Sequence, residues 1–265
     1  MTFARPSQWV RLMRVNSLIR MIFYALTLPI QPLRFRLITR LPFQSFWFRP
    51  LFLVELYMAL GLFESWVKKK MIIKRGSLFI DVGAHIGYHT ARAAKAVGVD
   101  GFVLAVEPDA RNLKLLRLNA QQFRNVKVLP CPIGLNGDGA LLLADDPVFT
   151  RDPTLDPASI RRAPLPWRER IRELGVVEKR KFVSLDSLFR RLPNHPEILL
   201  KIDVERAVAN VLRGATGFLR ERRPTMIVEI RDLDTILEIL LELNYKVDHI
   251  YSTYYLFSPL EVEKC

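Results

Sequence analysis

The run Phe79-Ile80-Asp81-Val82-Gly83-Ala84-His85-Ile86-Gly87 places a carboxylate and two glycines where an apolar strand stops. A glycine has no Cβ and adopts positive φ freely, so a turn built on it can lie close to another molecule. A second carboxylate, Glu107, ends the next apolar run. An acid at that position of a doubly wound sheet can accept hydrogen bonds from ribose hydroxyls. Together these residues suit a nucleoside. A dinucleotide turn needs G-x-G-x-x-G, with helix amides facing a pyrophosphate. The middle glycine is missing here, and Asp81 would repel a pyrophosphate while attracting a sulfonium or ammonium group. The pattern favours S-adenosylmethionine, and an NAD(P)-binding Rossmann oxidoreductase stands as the alternative.

Further along, Lys201-Ile202-Asp203-Val204-Glu205 closes another apolar run, and Glu229 closes the one after it. Carboxylates at such strand ends can take a proton from a hydroxyl or clamp an acceptor. Asp203 and Glu205 are the candidates. Lys201 can hold an acceptor's carboxylate or lower its pKa; its other reading is a pair with Asp203 that shapes the strand end. His85 and His89 stand four apart, but no third ligand is near in sequence. They are expected as turn and surface histidines, with no metal.

The elements that must position these residues follow from periodicity. Strands are expected at "SLFIDV", "GFVLAVEP", "VKVLP", "EILLKIDV" and "TMIVEI", with "YKVDHI" and "YYLF" as a terminal hairpin. Helices alternate with them: "GYHTARAAKAV", "DARNLKLLRLNAQQF", a segment with Val208, Val211, Leu212, Ala215 and Leu219 on one face, and one through Leu233, Ile236, Leu237, Leu240 and Leu241. Near-continuous apolar strands alternating with helices argue a mostly parallel sheet covered on both faces. Residues 144–179, with prolines at 147, 153, 157, 164 and 166, show no period and are expected as a long functional loop. Its arginines, Arg151, Arg161, Arg162, Arg168 and Arg170, suit a charged substrate or a solvated lid.

The five segments "FIDVGAHIGYHT", "VEPDARNLKLLRLN", "VSLDSL", "LKIDVERAVANVLRGA" and "PTMIVEI" occur in the order found in the FkbM-type methyltransferases, which this chain resembles over about residues 60 to 250. The resemblance implies an α/β fold of the class I methyltransferase kind: a Rossmann-like doubly wound sheet of seven strands, using S-adenosylmethionine for methyl transfer, usually to oxygen. It implies that Asp81, Gly83, Ala84, His85 and Gly87 form the cofactor turn. Glu107 would be the ribose acid, Pro108 and Asp109 would line the adenosine side, and Asn119 would match the second helix's asparagine. Lys201, Asp203 and Glu205 match the catalytic strand end, and Glu229 the acid of the next strand. One departure stands out: where the family continues with glycine and, two residues later, glutamate, this chain has Arg206, Ala207 and Val208. That leaves a third reading open, a methyltransferase fold without turnover.

The chain of 265 residues carries a net charge of +13, unevenly spread. From Met1 to Val54 stand Arg5, Arg11, Arg14, Arg20, Arg34, Arg36, Arg40 and Arg49, with no acid among many apolar and aromatic residues. Residues 1–70 are expected as a basic, apolar, helical extension, and 71–265 as the catalytic domain. The extension suits the anionic face of a membrane or packing against the domain; it is too apolar for a nucleic-acid arm. No apolar run reaches the roughly 20 residues of a membrane span. Cys131 and Cys265 read as free thiols of a reducing compartment. A cytoplasmic enzyme, peripheral to the inner face of the membrane and acting on a small-molecule or glycan substrate, is the expectation.

Overall fold

The structure, a computed structural model, describes residues 36–41, 45–144, 152–154, 175–204, 207–231 and 233–260, with positions 26, 29 and 33 besides; at 140–144, 152–154 and 175–177 it describes the backbone alone. Contacts divide the described residues into a unit that ends at Phe63 and a second that begins at Glu64.

The first unit departs from an all-helical extension. β1 (Thr39–Arg40) pairs antiparallel with β2 (Trp47–Phe48), and α1 (Leu53–Ala59) follows. Pro42 and Pro50 deny a helix its amide donors. Thr39, Trp47 and Phe48 suit strands instead. The Arg40 guanidinium lies 5.3 Å from the ring centroid of Trp47, its partner across the ladder. Arg49 is 2 % exposed and bound to Glu55, which is fully buried. Glu55 accepts from the Arg49 backbone N–H and from Nε, both at 2.7 Å. Burial raises the Glu55 carboxyl, and the facing Arg49 only partly offsets it. Arg49 is therefore withdrawn from any role at lipid headgroups. Glu55→Ala would leave a buried cation unpaired, and is expected to destabilise this unit by about 3–5 kcal/mol. The check is faster amide exchange across Leu53–Ala59.

In the second unit, α2 (Ser65–Lys70) precedes an alternating series: β3 (Leu78–Val82), α3 (Tyr88–Val97), β4 (Phe102–Val106), α4 (Ala110–Ala120) and β5 (Val126–Leu129). β6 (Gly137–Ala144), β7 (Asp152–Thr154) and β8 (Gly175–Phe182) come next, then α5 (Leu185–Leu188), β9 (Ile198–Ile202), α6 (Val208–Arg213) and α7 (Thr216–Arg222). β10 (Thr225–Glu229), α8 (Leu233–Leu241), β11 (Tyr245–Tyr251) and β12 (Tyr254–Pro259) complete it. Sequence reasoning ends the extension at residue 70, but Val67 and Met71 are buried in this unit's core.

Seven strands form the central sheet in the order β11-β12-β10-β9-β3-β4-β5. All neighbours are parallel except around β12, which runs antiparallel to both β10 and β11 as the return strand of the expected hairpin. The period of two divides each central strand between two cores. Leu78, Ile80, Val82, Leu200 and Ile202 face α6, α7 and α8. Phe79, Leu199, Ile227 and Tyr254 face α2 and α3. Asp81 and Lys201 are register partners that continue this second face.

The long loop is not wholly irregular. β6 pairs antiparallel with both β7 and β8, so Asp152–Thr154 and the residues from Gly175 onward are strand. A small peripheral sheet needs little apolar alternation, and "GVVEKRKF" carries charges at four successive positions, which hides it from a hydrophobic-period reading. The five loop arginines named above lie outside the described residues.

Candidate active site

Strand order reverses between β3 and β9, and ligands of doubly wound sheets bind beyond the carboxyl ends of the strands at such a point. There Asp81 is 1 % exposed. Its Oδ2 accepts from Thr90 Oγ1 at 2.7 Å, while Oδ1 is buried with no partner among the described residues.

The turn after Asp81 is tied down from three sides. The N–H groups of Gly83 and Ala84 both donate to the Val106 carbonyl, at 3.0 and 2.9 Å. Asn119 Nδ2 donates to the Ile86 carbonyl at 2.7 Å. Gly83 has φ +85°, and a Cβ there would stand 1.9 Å from the Asp203 carbonyl oxygen. The glycine expected to approach a ligand is thus needed first for the approach of β9, whose Asp203 N–H donates to the Val82 carbonyl at 2.9 Å. Gly87, at φ +89°, is the left-handed residue that opens α3. His85 sits in the turn at φ +53°.

Glu107 is buried, and both carboxylate oxygens are held. His85 N–H donates to Oε2 at 2.8 Å and Asp109 N–H to Oε1 at 2.9 Å. Burial pushes its pKa up to about 8 against these bonds. Asp109 caps α4, accepting from Arg111 N–H at 2.9 Å, and Pro108 is half-buried between the two acids.

On β9, Lys201 is 2 % exposed and donates to Asp203 Oδ2 at 2.8 Å. Burial alone would lower the Lys201 pKa; the carboxylates of Asp203, Asp81 and Glu64 outweigh it and hold the ammonium above its usual range. Burial alone would raise Asp203; Lys201, with hydrogen bonds from its neighbours, holds the carboxyl well below the ordinary carboxylate range. The Asp203 side chain keeps 22 % of its surface exposed, so it is the open member of this set. Glu205 and Arg206 lie outside the described residues. Ala207 and Val208 are buried, and Val208 packs in the apolar core with Val211 and Leu212, where a glutamate would have no place. Glu229, at the end of β10, accepts from Thr253 Oγ1 at 2.9 Å.

Three residues here carried no site expectation. Glu64, which opens α2 at φ +45°, turns its carboxylate inward. Tyr254 OH lies 2.7 Å from Glu64 Oε1 and 3.0 Å from Asp203 Oδ2. His89 is no surface histidine: it is 5 % exposed, with Nε2 2.7 Å from Glu64 Oε2. One signal pointed to Glu64. The first two acids of the chain are Glu55 and Glu64, and each is placed inside. Among the described residues no group of three His, Cys, Asp or Glu side chains is arranged to hold a metal.

The residues present fit S-adenosylmethionine. The unpartnered, buried Asp81 Oδ1 asks for a cationic donor, and Asp81, Asp203 and Glu64 outnumber Lys201 in charge around it. The Methyltransferase FkbM domain matches residues 81–247, more than half of the chain. Among solved structures, the FkbM methyltransferase of Methylobacillus flagellatus is 16 % identical with a TM-score of 0.47; the match covers 72 % of this chain and 46 % of that one, so this chain spans about half its length. An S-adenosylmethionine-dependent O-methyltransferase of Thermotoga maritima is 14 % identical, TM-score 0.39, over 76 % of this chain and 66 % of that one. Aeropyrum pernix fibrillarin, crystallised with natively bound S-adenosylmethionine, is 16 % identical, TM-score 0.39, over 83 % and 80 %. No curated protein matches the chain. With the matched stretch covering more than half of its length, the chain belongs to the FkbM methyltransferase family.

Proposed function

We propose that the protein methylates a hydroxyl group of a sugar, glycan or other small polar metabolite. The observation that carries this reading is Asp203, an ionised, part-exposed carboxylate at the switch point, oriented from beneath by buried Lys201. S-adenosylmethionine, when bound, supplies an electrophilic methyl group on sulfonium sulfur. The chain's own task is to hold the acceptor in line and receive its proton. Asp203 serves as the acceptor's hydrogen-bond partner, and Glu205, two positions on in sequence, is the second candidate carboxylate. The test is transfer of labelled methyl from S-adenosylmethionine to fractionated extracts. Label in base-stable ethers on polar metabolites supports the reading; label confined to protein, nucleic acid or base-labile esters overturns it.

Asp81, Gly83, Ala84, His85, Gly87, Pro108, Asp109 and Asn119 are assigned to the cofactor, with Glu107 receiving the ribose hydroxyls. A hydroxyl donor favours the ionised carboxylate. Because burial holds Glu107 near 8, affinity should rise with pH up to about 8 and level off above it. Folding has the opposite slope, since an acid raised in the folded state stabilises fully below its unfolded value and progressively less up to about 8. S-adenosylhomocysteine should bind about tenfold more weakly at pH 6.5 than at pH 8 by calorimetry. Glu107→Gln should bind weakly at both pH values, and a wild-type affinity independent of pH counts against the ribose role.

The basic N-terminal stretch, Arg49 apart, is assigned to an anionic membrane face on the cytoplasmic side. No described helix is long and apolar enough to cross a membrane. Sedimentation with anionic but not neutral vesicles supports this assignment, and equal sedimentation with both counts against it.

A further inference from the structure

One line of hydrogen bonds leads away from Asp203 through Tyr254, beside its bond with Glu229. Its Oδ2 lies 3.0 Å from the Tyr254 hydroxyl, that hydroxyl 2.7 Å from Glu64 Oε1, and Glu64 Oε2 2.7 Å from His89 Nε2. Lys201 Nζ anchors the near end at 2.8 Å from the same Asp203 oxygen. A phenol has one proton to give. It cannot donate to both carboxylates, so with both ionised one oxygen–oxygen contact lacks a hydrogen. The line is fully satisfied when it holds one proton more, and Lys201 keeps that proton off Asp203. Within this line the place left for it is the Glu64–His89 end.

The groups facing this line come from every element around it. They are Asp81 from β3, Lys201 and Asp203 from β9, Glu229 beside Asp203 from β10, Tyr254 from β12, Glu64 from the residue before α2 and His89 from α3. The surplus of carboxylates makes the line a place where a proton can reside. Burial and the three carboxylates near it keep the Tyr254 hydroxyl protonated, well above the usual phenol range, so it passes a proton without becoming a phenolate.

We propose that Tyr254, Glu64 and His89 form a proton relay that carries the acceptor's proton away from Asp203; this rests on the hydroxyl-methylation reading above. The balance is simple. A hydroxyl and a methyl sulfonium give a methyl ether, a neutral thioether and one proton. The acceptor O–H bond breaks and a bond to Asp203 forms. Asp203 returns that proton to the Tyr254 oxygen as the phenol passes its own to Glu64 Oε1. Glu64 hands one on to His89 Nε2, in the tautomer that carries its hydrogen on Nδ1. His89 ends as an imidazolium paired with Glu64. Asp203, held low by Lys201, would be a poor final resting place, and the relay removes that obstacle.

The relay can be read without knowing the acceptor. A sulfonium brought beside these carboxylates favours their ionised forms and expels the stored proton. S-adenosylhomocysteine carries the same nucleoside and ammonium group without that charge. Calorimetry in buffers of different ionisation enthalpy counts protons released on binding. The full chain at pH 7 should release roughly half a proton more with S-adenosylmethionine than with S-adenosylhomocysteine. Tyr254→Phe, which keeps the ring, and Glu64→Gln should each abolish that difference while Tyr254→Phe leaves affinity for S-adenosylhomocysteine within about threefold. Equal proton counts for the two ligands in the wild-type chain, or a difference that persists in both variants, overturn the relay. Absence of heat with either ligand would instead overturn the cofactor-site assignment itself.

Discussion

Lys201→Met is expected to destabilise the second unit by about 3–5 kcal/mol at pH 7, because it leaves buried carboxylates without their counter-ion. Lys201 is 2 % exposed and bonded to Asp203, with Asp81 and Glu64 also within its field. The same change should reverse the acid response. In the wild type Asp203 is depressed, so its contribution is present above the unfolded carboxylate value near 4 and is lost as pH falls through the lower folded value. Without Lys201, burial dominates and the folded value rises above 4. The contribution is then present below that point and lost as pH climbs. Urea unfolding at pH 4.5 and 7.5 tests this. On going from pH 7.5 to 4.5 the variant should gain more stability than the wild type, in which raised Glu107 already favours the lower pH, and an equal gain in both would show that Lys201 is not the counter-ion.

Gly83→Ala should be comparably severe. The added Cβ would lie 1.9 Å from a backbone oxygen of residue 203, at a φ of +85°. No rotamer relieves a backbone clash, so β3 and β9 must part where the site is built. A loss of about 3–5 kcal/mol, with no detectable S-adenosylhomocysteine binding, is the expected result. Gly87→Ala is the internal comparison. Its Cβ would meet Leu116 Cδ1 at 2.8 Å, the end of a side chain that can turn away. Its cost should stay near the 1–2 kcal/mol of a left-handed non-glycine residue. If the two substitutions prove equally mild by thermal melting, the close approach of the strand ends is not needed.

The sheet was legible because its central strands are buried on both faces and are therefore written as apolar runs. Asp81, Glu107 and Asp203 were legible for the converse reason: a charge at the end of such a run is conspicuous. Less legible was what those charges touch. Glu107 and Asn119 hold the turn itself, and nothing in their spacing distinguishes a ligand partner from a backbone partner. The β6–β8 sheet escaped because its strands alternate little. His89 looked like a surface residue because its partner Glu64 lies 25 positions away, just before a different helix. Tyr254 sits in an aromatic run typical of any edge hairpin, and only the antiparallel insertion of β12 beside β10 brings its hydroxyl to Asp203.

The Glu64–Tyr254 hydrogen bond joins residues 190 positions apart in sequence. Closing a loop of that length carries a large entropic penalty before any contact compensates it, and contacts of long separation slow folding. The β3–β4–β5 half of the sheet needs only neighbours in sequence and can form early. Lys201, Asp203 and Asp81 can meet once β3 and β9 pair. The Tyr254 link between Asp203 and Glu64 waits until the last hairpin has docked. During synthesis, Lys201 and its carboxylates leave the ribosome long before Tyr254 does, so a binding-competent chain reports that β12 is in place.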